Sequence, residues 1–356
     1  MKPLIELFES LSWNNVELVI QDNSIDNQNF NNYIASLNND NIHYYYTNET
    51  LSVCANCDLA IQHSYGKYVC FIGDDDGITR DLLPCVEYME SADVDSLVCN
   101  KASYVWPDVH GVVFDFAGMV KLAQYSKKKF LINLQKELRS VLAKGATTLG
   151  HLPCVYHGIV KRNVLEKVYH KTGTYFPGPS PDMANAIALA LSSSKHVFYD
   201  YPIVIAGKGA KSGGGLGARH EHCNQINQLS FLPKGTEKNW EPKNPKYWTG
   251  ETIYTESAIK ALRKMGQEKY LFSFQYGTLY GRFLVFHPRL YRLVVPYLNL
   301  SNIGLVVINF FFYFFVRVGN LVGNYLLLKG LLCKSFVIRA VNDIVECEKV
   351  IADRLK

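Results

Sequence analysis

Along the first hundred residues the apolar positions switch repeatedly between helical and extended spacing. Leu4, Leu7, Phe8 and Leu11 recur at helical intervals, which predicts an opening amphipathic helix. Residues 16–20 form a short apolar run closed by Asp22-Asn23-Ser24, a strand and its turn. After an Asn-rich stretch, residues 42–46 read as strand and residues 59–65 as the end of a helix stopped at Gly66. Residues 68–72 are almost wholly apolar, as expected of a strand covered on both faces of a parallel sheet. Residues 82–89 return to helix and residues 96–104 to strand. This alternation predicts an α/β sheet built from crossover units. The pattern enters at a helix, so the expectation is that one strand of the sheet is missing.

The middle of the chain is less regular. Residues 121–142 carry helical spacing around a basic Lys127-Lys128-Lys129 run, residues 196–206 read as strand, and residues 207–217 hold six glycines and read as a mobile loop. Residues 233–248 are polar, with Pro and Trp, and read as a linker or a surface excursion. The tail changes character: residues 303–316 are nearly all apolar, with six consecutive aromatics from Phe310 to Phe315, then Arg317 and a second apolar run to residue 332. The first run alone falls short of the roughly 20 apolar residues a span needs. Arg289, Arg292, Lys329, Lys334 and Arg339 flank it. A buried helical hairpin and a true span are the alternatives; the expectation is contact with a membrane interface. The boundaries read as 1–225 for the α/β domain, 226–300 for a linker and helical extension, and 301–356 for apolar or amphipathic helices.

Composition narrows the classes. In 356 residues, 48% are hydrophobic and 19% charged, which excludes wholesale disorder. A net charge of +5 without a dense basic tract argues against a nucleic-acid binder. The opening residues show no long apolar run and no small-residue cleavage site, so nine scattered cysteines, Cys54-Ala55-Asn56-Cys57 included, read as reduced thiols on the cytoplasmic side.

The sharpest chemical feature is Gly73-Asp74-Asp75-Asp76-Gly77, three carboxylates straight after a buried strand. Each pair of like charges about 4 Å apart repels by roughly 4 kcal/mol at intermediate dielectric. A hard divalent cation reverses that sign, and ligands of open α/β sheets gather at the carboxyl ends of strands. A charged turn or helix cap is the plain alternative. Asp182, after Phe176-Pro177-Gly178-Pro179-Ser180-Pro181, stands where an Ala-rich helix begins. It suits either a helix N-terminus or a positioned general base. His157 is a candidate for the acceptor side or a structural histidine. In Arg219-His220-Glu221-His222-Cys223 the i, i+2 histidines lack the spacing of a zinc helix.

Strand-Asp22-Asn23-Ser24, then Asn56-x(3)-Ala60-Ile61, then Gly66-Lys67-Tyr68-strand-Asp74-Asp75-Asp76 resembles the donor half of family 2 glycosyltransferases of the GT-A fold. The Gly before three Asp is similar to bacterial surface-polysaccharide (O-antigen or capsule) transferases. The resemblance spans roughly the first 210 residues and implies a Rossmann-like, mostly parallel sheet with flanking helices. It implies that Asp22 meets the nucleotide base, Asp74 the ribose and Asp76 a Mg²⁺ or Mn²⁺, with Asn56 and Asp75 also toward the nucleotide-sugar. It further implies Asp182 as the base, although Pro181 replaces the usual acid before it, and His220 or His222 as completing the metal shell under a lid at residues 213–217. Family members begin with a strand bearing a Pro-x-Tyr-Asn-like segment, absent here. The expected activity is inverting transfer from a nucleotide-diphosphate sugar to a hydroxyl of a glycan or lipid-linked acceptor, at the inner face of the plasma membrane. The rivals are a sugar-phosphate nucleotidyltransferase and an inactive, truncated membrane-bound assembly subunit.

Overall fold

The computed structural model describes residues 1–219, 223–331 and 335–356. Helix α1 (Lys2–Leu11) turns Leu4, Ile5, Leu7 and Phe8 inward, as its periodicity predicts, with Pro3 in its first turn. Strands β1 (Leu18–Asp22) and β2 (Ile42–Tyr46) pair in parallel, Leu18 opposite Ile42, joined by α2 (Gln28–Ser36). Helix α3 (Val53–Gln62), capped by the Ser52 hydroxyl, leads into β3 (Tyr68–Cys70). There follow β4 (Gly77–Ile78), α4 (Leu82–Ser91), β5 (Ser96–Cys99), β6 (Ala102–Val105), β7 (Met119–Ala123), β8 (Lys129–Leu131) and α5 (Leu134–Ala143). Next come β9 (Gly158–Lys161), α6 (Arg162–Thr172), α7 (Pro181–Ala190), β10 (His196–Tyr199), β11 (Val204–Lys208) and α8 (Gly213–Ala218).

The strands form the β1-β2 pair and two five-stranded sheets, β3-β9-β5-β10-β8 and β12-β7-β6-β11-β4, where β12 is Ser335–Ile338. The α/β class and the flanking helices are as expected, but the sheets are mixed. Only β1–β2, β5–β10 and β6–β11 run parallel among the described pairings, and β9 enters antiparallel between β3 and β5. An apolar run reports burial on both faces and says nothing of direction. The two longer predicted strands each split at a corner, 96–104 at Asn100-Lys101 and 196–206 at Asp200-Tyr201-Pro202, and cross from one sheet to the other. The helix expected over 121–142 exists only as α5, because β7 and β8 take its first half for sheet pairing. In the expected loop 207–217, residues 213–217 belong to the short helix α8, capped by the Ser212 hydroxyl.

The remaining chain is α9 (Gly250–Lys264), α10 (Tyr276–Phe286), α11 (Ile303–Leu328), β12, and α12 (Ile344–Leu355). Residues 233–248, read as a linker, pack instead: Trp240 and Trp248 join Ile226, Leu232 and Ile253 in a small core. Trp240 Nε1 donates to Asn244 O at 3.0 Å, and Asn244 Nδ2 donates to Thr252 O at 2.8 Å. Pro and polar residues signal irregular backbone, not exposure. Buried Glu251 on α9 accepts from Arg282 Nε and His287 Nε2, each at 3.1 Å, tying α9 to the end of α10.

The final residues return to the first domain. Val341, Ile344, Cys347 and Ile351 share a core with Leu97, Tyr104 and Val120, and the Arg80 guanidinium grips buried Glu348 with two 2.8 Å bonds. Between α10 and β12, α11 runs unbroken for 26 residues. It leaves Ile308, Phe311, Phe312, Phe315 and Val322 exposed. Arg317 does not stand on that face; its Nη1 donates to Val285 O of α10 at 2.6 Å.

Candidate functional site

The triple-Asp turn follows β3, where Phe71 bridges to Tyr156. Its three carboxylates have different surroundings. Asp76 is 1% exposed. Its Oδ2 accepts from Gly73 N at 2.7 Å, Tyr156 Oη–H at 2.9 Å and His157 Nε2 at 2.6 Å, and its Oδ1 accepts from Gly207 N at 2.8 Å. Burial alone would raise its pKa; the hydrogen bonds from His157 and the two backbone N–H groups leave it below the ordinary value. Asp75 is partly buried, and its Oδ2 accepts from Gly209 N at 2.7 Å. Burial raises its pKa against that bond, and the neighbouring Asp76 raises it further. Asp74 is exposed. Gly207 is required here, since a Cβ would lie 1.7 Å from Asp75 O.

His157 is buried and holds φ 62°, a left-handed conformation that a residue with a Cβ adopts at a cost. Its ring stacks on Tyr156, centroids 3.9 Å apart. Lys101 Nζ lies 2.8 Å from His157 Nδ1. An ammonium can only donate, so Nδ1 accepts and Nε2–H donates to Asp76. Ammonium, imidazole and carboxylate thus form one chain, and His157 belongs to the Asp76 anchor rather than standing free on the acceptor side.

Asp182 lies in the first turn of α7, after N-cap Ser180 and Pro181. Its Oδ2 accepts from Tyr254 Oη–H of α9 at 3.0 Å. Burial raises its pKa; the Tyr254 hydrogen bond and the charge of Lys101 oppose this, and Asp76 adds to it. Asp182 and the Asp76–His157–Lys101 chain therefore occupy one electrostatic neighbourhood. Asn56, on α3, has a buried Oδ1 without a hydrogen-bond partner among the described residues. Two residues earlier, Cys54 Sγ donates to Gly178 O at 3.1 Å, which fixes α3 against the turn leading to Asp182. Asp22, at the end of β1, accepts from Ser24 N at 2.8 Å and Tyr44 Oη–H at 2.7 Å. None of these bonds reaches the triple-Asp turn. His220 and His222 lie outside the described residues.

The fit to a divalent cation is selective. Asp76, the expected metal ligand, has its two oxygens engaged by four protein donors, so its carboxylate is a fold anchor. Asp74 and Asp75 supply hard oxygens, and Mg²⁺ is commonly held by one or two carboxylates plus substrate phosphates. Among the described residues no three His, Cys, Asp or Glu side chains converge as a ready-made cage. Sequence reasoning missed Lys101, Tyr156 and Tyr254. Tyr156 had a signal in its place beside His157; Lys101 and Tyr254 sit at a sheet corner and on a distant helix, which spacing along the chain does not connect.

The model of the family "Glycosyl transferase family 2" matches residues 2–142. No curated protein matches the chain. Among solved structures, S. aureus TarS 1-349 in complex with UDP-GlcNAc is similar at 15% identity and TM-score 0.46, covering 83% of this chain and 84% of that one. The same segment of TarS in complex with UDP gives 12% identity and TM-score 0.45, with 83% and 84% covered. The longer S. aureus TarS chain gives 14% identity and TM-score 0.39 over 58% of this chain, which spans only 34% of its length.

Proposed function

We propose that the chain is an inverting glycosyltransferase that moves a sugar from a nucleotide-diphosphate donor to a hydroxyl of a glycan or lipid-linked acceptor in cell-surface polysaccharide synthesis. One observation carries the reading. The segment matching the glycosyl transferase family 2 model contains a triple-Asp turn, and the fold sets that turn in the electrostatic neighbourhood of Asp182.

In this reading Asp74 and Asp75 face the donor, and Asn56 offers its unpartnered oxygen to the nucleotide-sugar. Asp22 would meet the base. Mg²⁺ or Mn²⁺ would be held by Asp74 and Asp75, with His220 or His222 completing the shell, and would neutralise charge on the departing diphosphate. Asp76 keeps the turn in place through Gly73, Gly207, Tyr156 and His157. Asp182 accepts the acceptor hydroxyl proton as that oxygen attacks the anomeric carbon from the face opposite the leaving group. Tyr254 orients the Asp182 carboxylate, and burial increases its affinity for the proton. Lys101 adds fixed positive charge beside both carboxylates.

The exposed apolar helix α11 supports an acceptor held at a membrane. An 18-residue window of that helix is only 11% buried, with mean hydropathy 1.9. Both flanks of α11 return to the folded body, through α10 and through β12 on β7, which favours a helix lying in the interface over a span.

The test is release of nucleoside diphosphate when the protein is incubated with a panel of nucleotide-diphosphate sugars, Mg²⁺ or Mn²⁺ and membrane extract. Release with one donor, lost in Asp182→Asn, supports the reading. No release with any donor overturns it.

A further inference from the structure

The turns Pro288–Leu293 and residues 225–227 enclose a cleft of about 400 Å³, lined by Lys246, Arg289 and Arg292 with Glu237 and Tyr247. Lys246 Nζ reaches Glu237 Oε1 at 3.3 Å. Neither Arg289 nor Arg292 has a carboxylate partner among the described residues, so three cations face one anion. Immediately along the chain the surface turns apolar: Val295 and Leu300 are exposed, Leu300 at 98%, and Ile303 opens α11. A concave cationic site thus adjoins the start of an exposed apolar helix about 39 Å long.

We propose that this cleft binds the phosphate of an anionic phospholipid headgroup while the apolar face of α11 lies among the acyl chains. The inference rests on the membrane reading above and adds lipid selectivity to it. Guanidinium forks match phosphate oxygens in a paired geometry. Their position beside the entry to α11 sets them at headgroup level when that helix lies in the interface. Glu237 neutralises Lys246 and leaves the two arginines to meet the anion.

The test is flotation of the full chain with phosphatidylcholine vesicles, with and without phosphatidylglycerol. Each basic side chain near an anionic surface contributes about five-fold in partitioning. Wild type should therefore favour the anionic vesicles by about 25-fold through these two residues. R289Q/R292Q should lose that preference and keep its binding to neutral vesicles, whereas R289K/R292K, which keeps the charge but loses the fork, should recover only part of it. Inorganic phosphate at millimolar levels should not compete. Equal binding of wild type to both vesicles, or an undiminished preference in R289Q/R292Q, overturns the proposal. Displacement by inorganic phosphate alone also overturns it, by assigning the cleft to a soluble anion. Failure of wild type to bind any vesicle removes the membrane reading with it. Nucleotide binding, measured on the same preparation, reports the transferase reading separately.

Discussion

Replacing Asp76 with alanine should damage the fold more than the chemistry. The carboxylate accepts four hydrogen bonds while 1% exposed. Its removal leaves the N–H groups of Gly73 and Gly207, the Tyr156 hydroxyl and His157 Nε2 buried without an acceptor. Each unsatisfied buried donor costs about 1–3 kcal/mol. Allowing for relaxation and some entry of water, the loss is about 4–6 kcal/mol, comparable to the whole stability of many domains. Asp76→Asn should fall between, since the amide keeps one acceptor and turns an NH₂ group toward donors. Asp75→Ala loses one bond, from Gly209 N, at a partly open position, and should cost about 1 kcal/mol. Urea unfolding gives the stabilities, and titration with nucleoside diphosphates and Mg²⁺ gives the donor affinities. The expected result is a large stability loss in Asp76→Ala and a large affinity loss in Asp75→Ala. If Asp76→Ala unfolds within about 1 kcal/mol of wild type and loses only metal-dependent affinity, then Asp76 is the metal ligand and the anchor role is refuted.

Asp182→Asn should lower turnover by about 10²–10⁴-fold at nearly unchanged donor affinity; a lowered melting temperature with normal turnover would reduce Asp182 to a helix-end residue. Against its burial, contacts with Cys223 and Glu251 lift His287 to about 9 from 6.5. A raised value means the contribution, at most about 3 kcal/mol, is complete below about pH 6.5 and lost as pH rises through 9. The melting temperature of wild type should therefore fall over that window more than that of His287→Gln, and parallel curves would contradict the assignment. Replacing Phe311, Phe312 and Phe315 together with serine should leave urea unfolding unchanged and release the protein from vesicles. A collapse of stability would instead show these rings to be core.

Much of the first hundred residues was legible because each element carries its own period. Helix α1 and strand β2 lie where their apolar positions put them, and the Asp turn falls at a strand end as ligand-site logic requires. Direction and sheet membership were not legible. Gly158-Ile159-Val160-Lys161 is apolar enough to be buried but does not encode that it runs antiparallel beside Tyr68-Val69-Cys70. The site divided the same way. Asp74, Asp75, Asp76 and Asp182 stand out as candidates by residue type and local context, yet three adjacent aspartates gave no sign of which faces inward. That depends on Gly207 and His157, which approach from β11 and from the turn before β9. Arg317 misled for a related reason: in sequence it interrupts an apolar helix, whereas in the fold it caps a carbonyl of α10.

In this site Asp74 and Asp75 bind the donor while Asp76 holds the turn that presents them. Calorimetric titration of wild type, Asp75→Asn and His157→Gln with UDP, GDP, CDP and ADP, each with and without Mn²⁺, tests it most directly. Wild type should bind one nucleotide in a Mn²⁺-dependent manner, Asp75→Asn should lose the Mn²⁺ dependence, and His157→Gln should lose stability while its folded fraction still responds to Mn²⁺. Binding of no nucleotide by wild type, or unchanged Mn²⁺-dependent binding in Asp75→Asn, would contradict it.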